Sequence, residues 1–149
     1  MVVNLLYSYG LRERIKIIAS GKLITPGKIA AALAVGADFV TSARGFMFAL
    51  GCIQALQCAK NTCPTGITTH NKELQRGLVP KEKAKRVTSF AETVVYGVGM
   101  IAHSCGVRQP RDLRRKHIRI VESGGISVSL DQLYPIPPVK PEYSGKTSV

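Results

Sequence analysis

The spacing of apolar positions changes along this chain, and each change marks an element. The first ten residues read as the end of an amphipathic helix closed by Gly10. After the charged turn Leu11-Arg12-Glu13-Arg14 comes IKIIAS, a short apolar run rich in β-branched residues, the pattern of a buried strand in a parallel sheet. Within GKLITPGKIAAALAVGAD a helix has explicit boundaries: Thr25 at its N-cap, Pro26 at its first position and Gly36 ending it in a left-handed turn. A second short strand, DFVTSA, follows, and Arg44 and Gly45 open another helix. Strand, helix, strand, helix within so few residues means successive βα units.

Further along, one long helix is expected from Pro80 to Gly106. Ala84, Val87, Ala91, Val94, Val98, Ile101 and Cys105 stand three or four apart and form one apolar stripe. A short helix should begin at Pro110 and run to about Lys116. From Ser127 the chain turns to prolines, glycine and small polar residues, which read as an extended or disordered tail. The expected organisation is a βα region over 1–106, a short basic helical extension over 107–126 and a tail over 127–149.

At 149 residues the chain has the length of one average domain, with enough apolar residues for a packed core. No apolar run is long enough to span a bilayer and no signal peptide is apparent at its start, so a cytoplasmic location is expected. The formal net charge of +12 gathers late in the chain, where Arg108, Arg111, Arg114, Arg115, Lys116 and Arg119 are opposed only by Asp112. No aromatic residues interleave with these cations to stack on bases, and no nucleic-acid motif accompanies them. A solvated helix face, or a surface toward an acidic partner, is therefore favoured over nucleic acid.

The segment GCIQALQCAKNTCPTGITTH places Cys52, Cys58 and Cys63 in a C-x5-C-x4-C array with Pro64 directly after the last thiol. In a reducing compartment clustered thiols are more often metal ligands or redox groups than disulfides. Zinc favours cysteines roughly two to four residues apart and needs a fourth ligand, which His70 or His103 could supply only at an unfamiliar spacing. Iron–sulfur clusters accept looser spacings and often have a proline after a ligand cysteine. Packing cysteines are the third reading, and the iron–sulfur one is favoured. If Gly45 to Leu56 is helical, Cys58 would point about 240° away from Cys52 around a continuing helix. The helix must then stop near Gln57, with Lys60, Asn61, Pro64 and Gly66 as the turn and breaker residues. Cys105 lies in the apolar stripe and reads as a small buried hydrophobe, and His103 beside it as a surface or capped histidine.

Each expected strand ends in small residues before a helix, Ala19-Ser20-Gly21 and Thr41-Ser42-Ala43. Backbone N–H groups at such loops make an anion site, and small side chains let a phosphate approach. Lys22 and Arg44 add positive charge beside them. A phosphate cradle followed closely by a cysteine array points to a phosphorylated redox cofactor near a cluster.

The stretch IIASGKLITPGKIAAALAVGADFVTSARGFMFALGCIQALQCAKNTCPTG, continuing through RGLVPKEKAKRV, resembles the last two βα units and cluster loop of the FMN-binding synthase domain of glutamate synthases. The match is closest to the stand-alone, archaeal-type and glutamate-synthase-related branch, and covers roughly Leu11 to Leu113. The fold class it implies is α/β, the C-terminal portion of a (β/α)8 TIM barrel with a helical extension and a Pro-rich tail. By resemblance Ser20, Gly21, Lys22, Ser42, Ala43, Arg44 and Gly45 would surround the FMN phosphate. Cys52, Cys58 and Cys63 match the three ligands of the family's [3Fe-4S] cluster. The implied reaction is reduction of 2-iminoglutarate to L-glutamate by hydride from reduced FMN, with electrons relayed by the cluster.

The sequence departs from the family pattern at Ala59, where a histidine is usual, and at Thr65, where a valine is common. A full barrel needs about 250 residues, so the chain is expected to be the C-terminal segment of a larger enzyme. The remaining strands would carry most flavin ring contacts and the substrate site. No general acid or base for the imine appears here, so no catalytic residue is assigned. The implied partners are the rest of the barrel or a sister subunit, and an electron donor, either reduced ferredoxin or an NAD(P)H-linked subunit. Unpaired strand edges predict an oligomer. Two other readings stay open: a different FMN barrel dehydrogenase, and a non-catalytic assembly or binding module with a basic surface.

Overall fold

In the computed structural model, which describes residues 1–144, helix α1 (Val2–Ser8) is followed by β1 (Ile18–Ala19), α2 (Pro26–Val35), β2 (Phe39–Val40) and α3 (Ala43–Leu50). A long loop leads to α4 (Lys72–Gln75) and α5 (Pro80–Ser104), and then to β3 (Arg119–Val121), β4 (Ser127–Ser129) and α6 (Leu130–Leu133). The mixed α/β alternation is as expected. Among the described residues no helix is long and apolar enough to cross a membrane.

β1 and β2 are parallel, with Ile18 opposite Phe39 and Ala19 opposite Val40. Val40 packs on the core beneath, while the other face, with Ile18 63% and Phe39 48% exposed, is open. The run IKIIAS is therefore not the doubly buried strand its composition predicts. Each strand has one neighbour, so the ladder is two residues long and one face lacks a covering layer.

Helices α1, α2, α3 and α5 are closed by Gly10, Gly36, Gly51 and Gly106, all at positive φ. In each case the N–H of the glycine and of the residue after it return to carbonyls of the last turn, the paired bonding of a Schellman motif. Thr25 holds the N-cap of α2 but its side chain makes no capping bond. The third helix ends at Leu50, not near Gln57. The Gly51 N–H bonds the Phe48 carbonyl at 2.9 Å and the Cys52 N–H bonds that of Met47 at 2.9 Å. Cys52 thus leaves the helix where the loop begins.

The core lies where α2 crosses α5. Ile29, Ala30 and Ala34 meet Val98, Ala102 and Leu113, with Val94, Ile101 and Cys105 partly buried against them. The stripe on α5 is buried only in its C-terminal half, and Ala84 is exposed. Cys105 packs as a small hydrophobe. Gly97 permits the close crossing, since a Cβ there would stand 2.6 Å from Pro26 Cγ.

The basic segment is not one short helix. It forms two 3-10 turns, Pro110–Asp112 and Arg115–His117, because Leu113 between them is extended and drawn into the core. Nor is the region after Ser127 a detached tail. β4 pairs antiparallel with β3, Leu130 is buried, and the following extended stretch is tied to α1. Asn4 Nδ2 donates to the Pro135 carbonyl at 3.1 Å, Lys140 N–H donates to Ser8 O at 2.9 Å, and Tyr143 packs edge-on against Tyr9. The end of the expected tail, 145–149, lies outside the described residues.

Candidate functional site: two βα loops and a cysteine loop

Parallel pairing puts the ends of β1 and β2 side by side, and the Thr41 N–H bonds the Ala19 carbonyl at 2.9 Å. Ser20-Gly21-Lys22 and Ser42-Ala43-Arg44-Gly45 therefore leave the sheet at the same edge. Gly21 has φ 117° and Lys22 φ 56°, and a Cβ built on Gly21 would meet nothing within 4 Å. The space in front of this loop is open. Lys22 and Arg44 are exposed.

Ser42 is the N-cap of α3, yet its hydroxyl caps nothing. Its Oγ is buried and has no hydrogen-bond partner among the described residues, an arrangement that costs about 1–3 kcal/mol unless something else bonds it. Three residues on, Gly45 is buried because Phe90 and the Ser42 hydroxyl close over it. A Cβ at that position would stand 2.5 Å from Phe90 Cζ and 2.7 Å from Ser42 Oγ. Phe90 is held by an edge-on contact with Phe46, ring centroids 5.1 Å apart. The groups these two loops offer are the Ser42 hydroxyl, the N–H groups of the first turn of α3 and the backbone of the open Gly21 loop.

The cysteine loop starts where α3 stops. It is bent by non-glycine residues in the left-handed region: Gln54 at φ 57°, Leu56 at 56° and Asn61 at 59°. Its far end is anchored. Thr69, buried, donates to the Asn61 carbonyl at 2.6 Å, Asn61 Oδ1 accepts from the His70 N–H at 2.6 Å, and Gln75 Nε2 donates to the Thr69 carbonyl at 2.7 Å. Asn71 caps α4 by accepting from the Glu73 N–H at 2.9 Å. Gly66 lies so close against the Leu74 carbonyl that no side chain would fit.

Cys63 stands at this anchored end with its Sγ 3.3 Å from Thr65 Oγ1. Hydrogen bonding by the Thr65 side chain, the largest influence, and the nearby Thr68 lower its pKa to about 6, because a donor to the sulfur stabilises the thiolate; Thr68 Oγ1 itself is buried and, among the described residues, makes no hydrogen bond. Cys52 accepts from the Gln54 N–H at 3.5 Å, and Cys58 is exposed. All four cysteines are free. The three loop thiols are on one loop but not gathered: among the described residues no group of three potential ligands stands close enough to hold a metal ion. His70 is exposed, with only its backbone in the network, and His103 Nε2 lies 3.3 Å from the Arg108 carbonyl, a surface histidine as expected.

Thr65, Thr68 and Asn61 are the site residues that sequence reasoning passed over in this role. The available signal was the run of hydroxyls in CPTGITTH, donors within a few residues of a thiol. The arginine run is exposed except at Arg115, but several of its guanidinium groups are hydrogen-bonded within the chain. Arg115 donates to Tyr134 O at 2.6 Å and to Asn4 Oδ1. Arg119 donates to Ser127, Arg114 to the Arg111 and Leu113 carbonyls, and Arg111 lies over the Phe39 ring. Arg115 ties the chain end to α1 and Arg111 contacts β2, while the bonds of Arg114 and Arg119 are local.

Residues 1–108 match the family model described as the conserved region in glutamate synthase. The chain belongs to the glutamate synthase family. It is 44% identical over 133 residues to the glutamate synthase large subunit-like protein YerD of Bacillus subtilis, an alignment covering 89% of this chain and 25% of that protein. It is 32% identical over 111 residues to the archaeal glutamate synthase [NADPH] of Methanocaldococcus jannaschii, covering 74% of this chain and 22% of that protein. The glutamate synthase [NADPH] large chain of Bacillus subtilis is 36% identical over 67 residues, which is 45% of this chain and 4% of the other. This glutamate synthase family chain thus spans about a quarter of the length of the relatives it matches along most of its own. The matched region includes both βα loops and the whole cysteine loop.

Proposed function

We propose that this chain supplies the flavin-phosphate cradle and the cluster loop of a glutamate-synthase-like oxidoreductase, within the C-terminal part of a TIM barrel. The observation that carries the reading is the parallel pairing that sets the two βα loops side by side, with the unpartnered Ser42 hydroxyl at the start of α3 and the cysteine loop leaving the other end of that helix. The residues fit an FMN phosphate: Ser42 Oγ and the backbone N–H groups of Ala43, Arg44 and Gly45 offer hydrogen-bonding groups. Gly21 leaves room, and Lys22 and Arg44 bring charge. The donor set also fits an iron–sulfur cluster, with three soft thiols, one already acidified by its threonine neighbours.

When bound, the flavin supplies hydride transfer to 2-iminoglutarate and the [3Fe-4S] cluster relays electrons to it. The chain's own residues hold and orient. Cys52, Cys58 and Cys63 would ligate the cluster, while Asn61, Thr69 and Gln75 fix the far end of their loop. Thr65 bonds the Cys63 sulfur and tunes it. The exposed Ile18 and Phe39 face and the open strand edges support a partner that completes the sheet, either the rest of the barrel or a sister subunit. A reducing cytoplasmic setting and an oligomer belong to the same proposal, with reduced ferredoxin or an NAD(P)H-linked subunit as electron donor.

Anaerobic reconstitution with ferrous iron and sulfide tests the cluster half. Bound iron and sulfide in the proportions of a [3Fe-4S] cluster are expected, and are lost in Cys58→Ala; an iron-free, colourless protein sinks the reading. For the cradle, FMN should bind more tightly than riboflavin, and the preference should vanish in Ser42→Asp, which places a carboxylate where the phosphate sits. Equal binding of the two flavins by the unaltered chain overturns the phosphate assignment.

A further inference from the structure

At the opposite end of the β1–β2 pair from the proposed cradle, a second cleft of about 560 Å³ opens between α1, the C-terminal end of α2 and the two 3-10 turns. Its wall carries six cationic side chains against three acidic ones. Asp38 is engaged within the protein, with Arg12 at 3.0 Å, exposed Lys16 at 3.9 Å and the Ile17 N–H at 2.8 Å, which leaves Arg111, Arg114, Arg115 and Lys116 facing Glu13 and Asp131.

Arg115 is the informative member. It is 5% exposed, and among the described residues its guanidinium meets two neutral acceptors, the Tyr134 carbonyl and Asn4 Oδ1, and no carboxylate. Burial pushes its pKa down, the mark of a cation short of counter-charge. A buried unpaired charge is expensive, and proteins keep one where an anion or carboxylate can pair with it. Two bonds leave three of the five guanidinium N–H donors free for planar or tetrahedral oxyanions. Exposed Lys16 and Lys116 stand on the same cleft wall, and Leu33 and Ile136 give it an apolar part. The volume falls within the usual range for small-molecule sites, roughly 300–1,000 Å³.

We propose that this cleft binds a small organic dianion, its oxygens on Arg115 with Lys16 and Lys116 closing over it. Phosphate esters and dicarboxylates share this chemistry. The site is independent of the cradle, which lies at the other end of the strands, and the two can fail separately.

The test is calorimetric titration of the full chain at slightly alkaline pH with inorganic phosphate in one arm and succinate in the other, both dianions there, at low and moderate salt. Lys16→Gln/Lys116→Gln removes two exposed rim charges without setting a carboxylate beside Asp38, 3.9 Å from Lys16, and should weaken binding at least tenfold while thermal unfolding stays cooperative. Lys22→Glu, at the cradle, should leave the cleft's binding unchanged. The tighter arm identifies the phosphoryl or the carboxylate as the natural group, and either result supports a dianion site. The proposal is overturned if neither anion binds. It is equally overturned if the rim variant binds as well as the unaltered chain, or if Lys22→Glu alone removes the signal, because the anion would then sit elsewhere or in the cradle.

Discussion

Replacing Gly97 and Gly99 by alanine, one at a time, tests the helix crossing that holds the two βα loops in place. Both glycines lie on α5, two residues apart, so each substitution gains about 0.8–1 kcal/mol from helix propensity. Their surroundings differ. A Cβ at Gly97 would stand 2.6 Å from Pro26 Cγ and 2.9 Å from Pro26 Cβ, whereas one at Gly99 meets nothing within 4 Å. The proline ring cannot rotate aside, so α2 and α5 must separate, and overpacking of this kind costs roughly 1–3 kcal/mol. Gly99→Ala should therefore stabilise by about 1 kcal/mol and Gly97→Ala should be neutral to destabilising by about 2 kcal/mol. The propensity gain cancels between the variants, leaving a difference of about 2 kcal/mol, or roughly 4–8 °C in midpoint for a chain of this size. Urea and thermal unfolding followed by far-UV circular dichroism measure it. If both variants rise together, the helices do not meet at Gly97 and the reasoning is refuted.

Two further perturbations probe the titrating groups. Burial pushes the Asp38 carboxyl up, but hydrogen bonds from Arg12 and the Ile17 N–H outweigh it and leave its pKa below the usual value. Its contribution is complete above the unfolded pKa of about 3.9 and is lost as pH falls through the lower folded value; Asp38→Asn should cost about 1 kcal/mol near neutrality, and its deficit should disappear in acid unfolding. The Cys63 thiol, lowered to about 6 by Thr65 first and then Thr68, should show alkylation by iodoacetamide rising through pH 6, read by peptide mass spectrometry. As a group with a depressed pKa it favours the folded state fully above its unfolded pKa, and that contribution fades as pH drops to about 6. Thr65→Val should move the reactivity midpoint upward, and an unchanged midpoint would show that Thr65 is not the donor.

Elements with local causes were legible. Pro26 and Gly36 bracket α2, Pro80 and Gly106 bracket α5, and the bonds that close those ends involve residues only a few positions apart. The end of α3 was misread because apolar residues continue through Ile53 and Leu56, yet these are 66% and 85% exposed. The left-handed turn at Gly51, two paired hydrogen bonds, prevails over a periodicity that has nothing to pack against. Residues after Ser127 were read as a tail because proline and small polar residues carry no local signal for the contacts they make. Those contacts, to Asn4, Ser8 and Tyr9, lie about a hundred and thirty positions away.

By itself the sequence determined what short-range forces decide: the strand–helix alternation, the glycine helix ends, the three thiols on one loop and the small residues after each strand. Tertiary structure decided which of these meet. Parallel pairing brings the two βα loops to one end of the strands, the packing of α3 on α5 buries Gly45 against Phe90 with the Ser42 hydroxyl left unpartnered beside it, and the threonines beside Cys63 acidify it. It also singled out one member of an otherwise exposed arginine run, Arg115, which is buried and lacks a carboxylate. The physical reason is one of range. Caps and turns are settled within a few residues, whereas burial, unpaired polar atoms and clefts exist only once distant segments pack together.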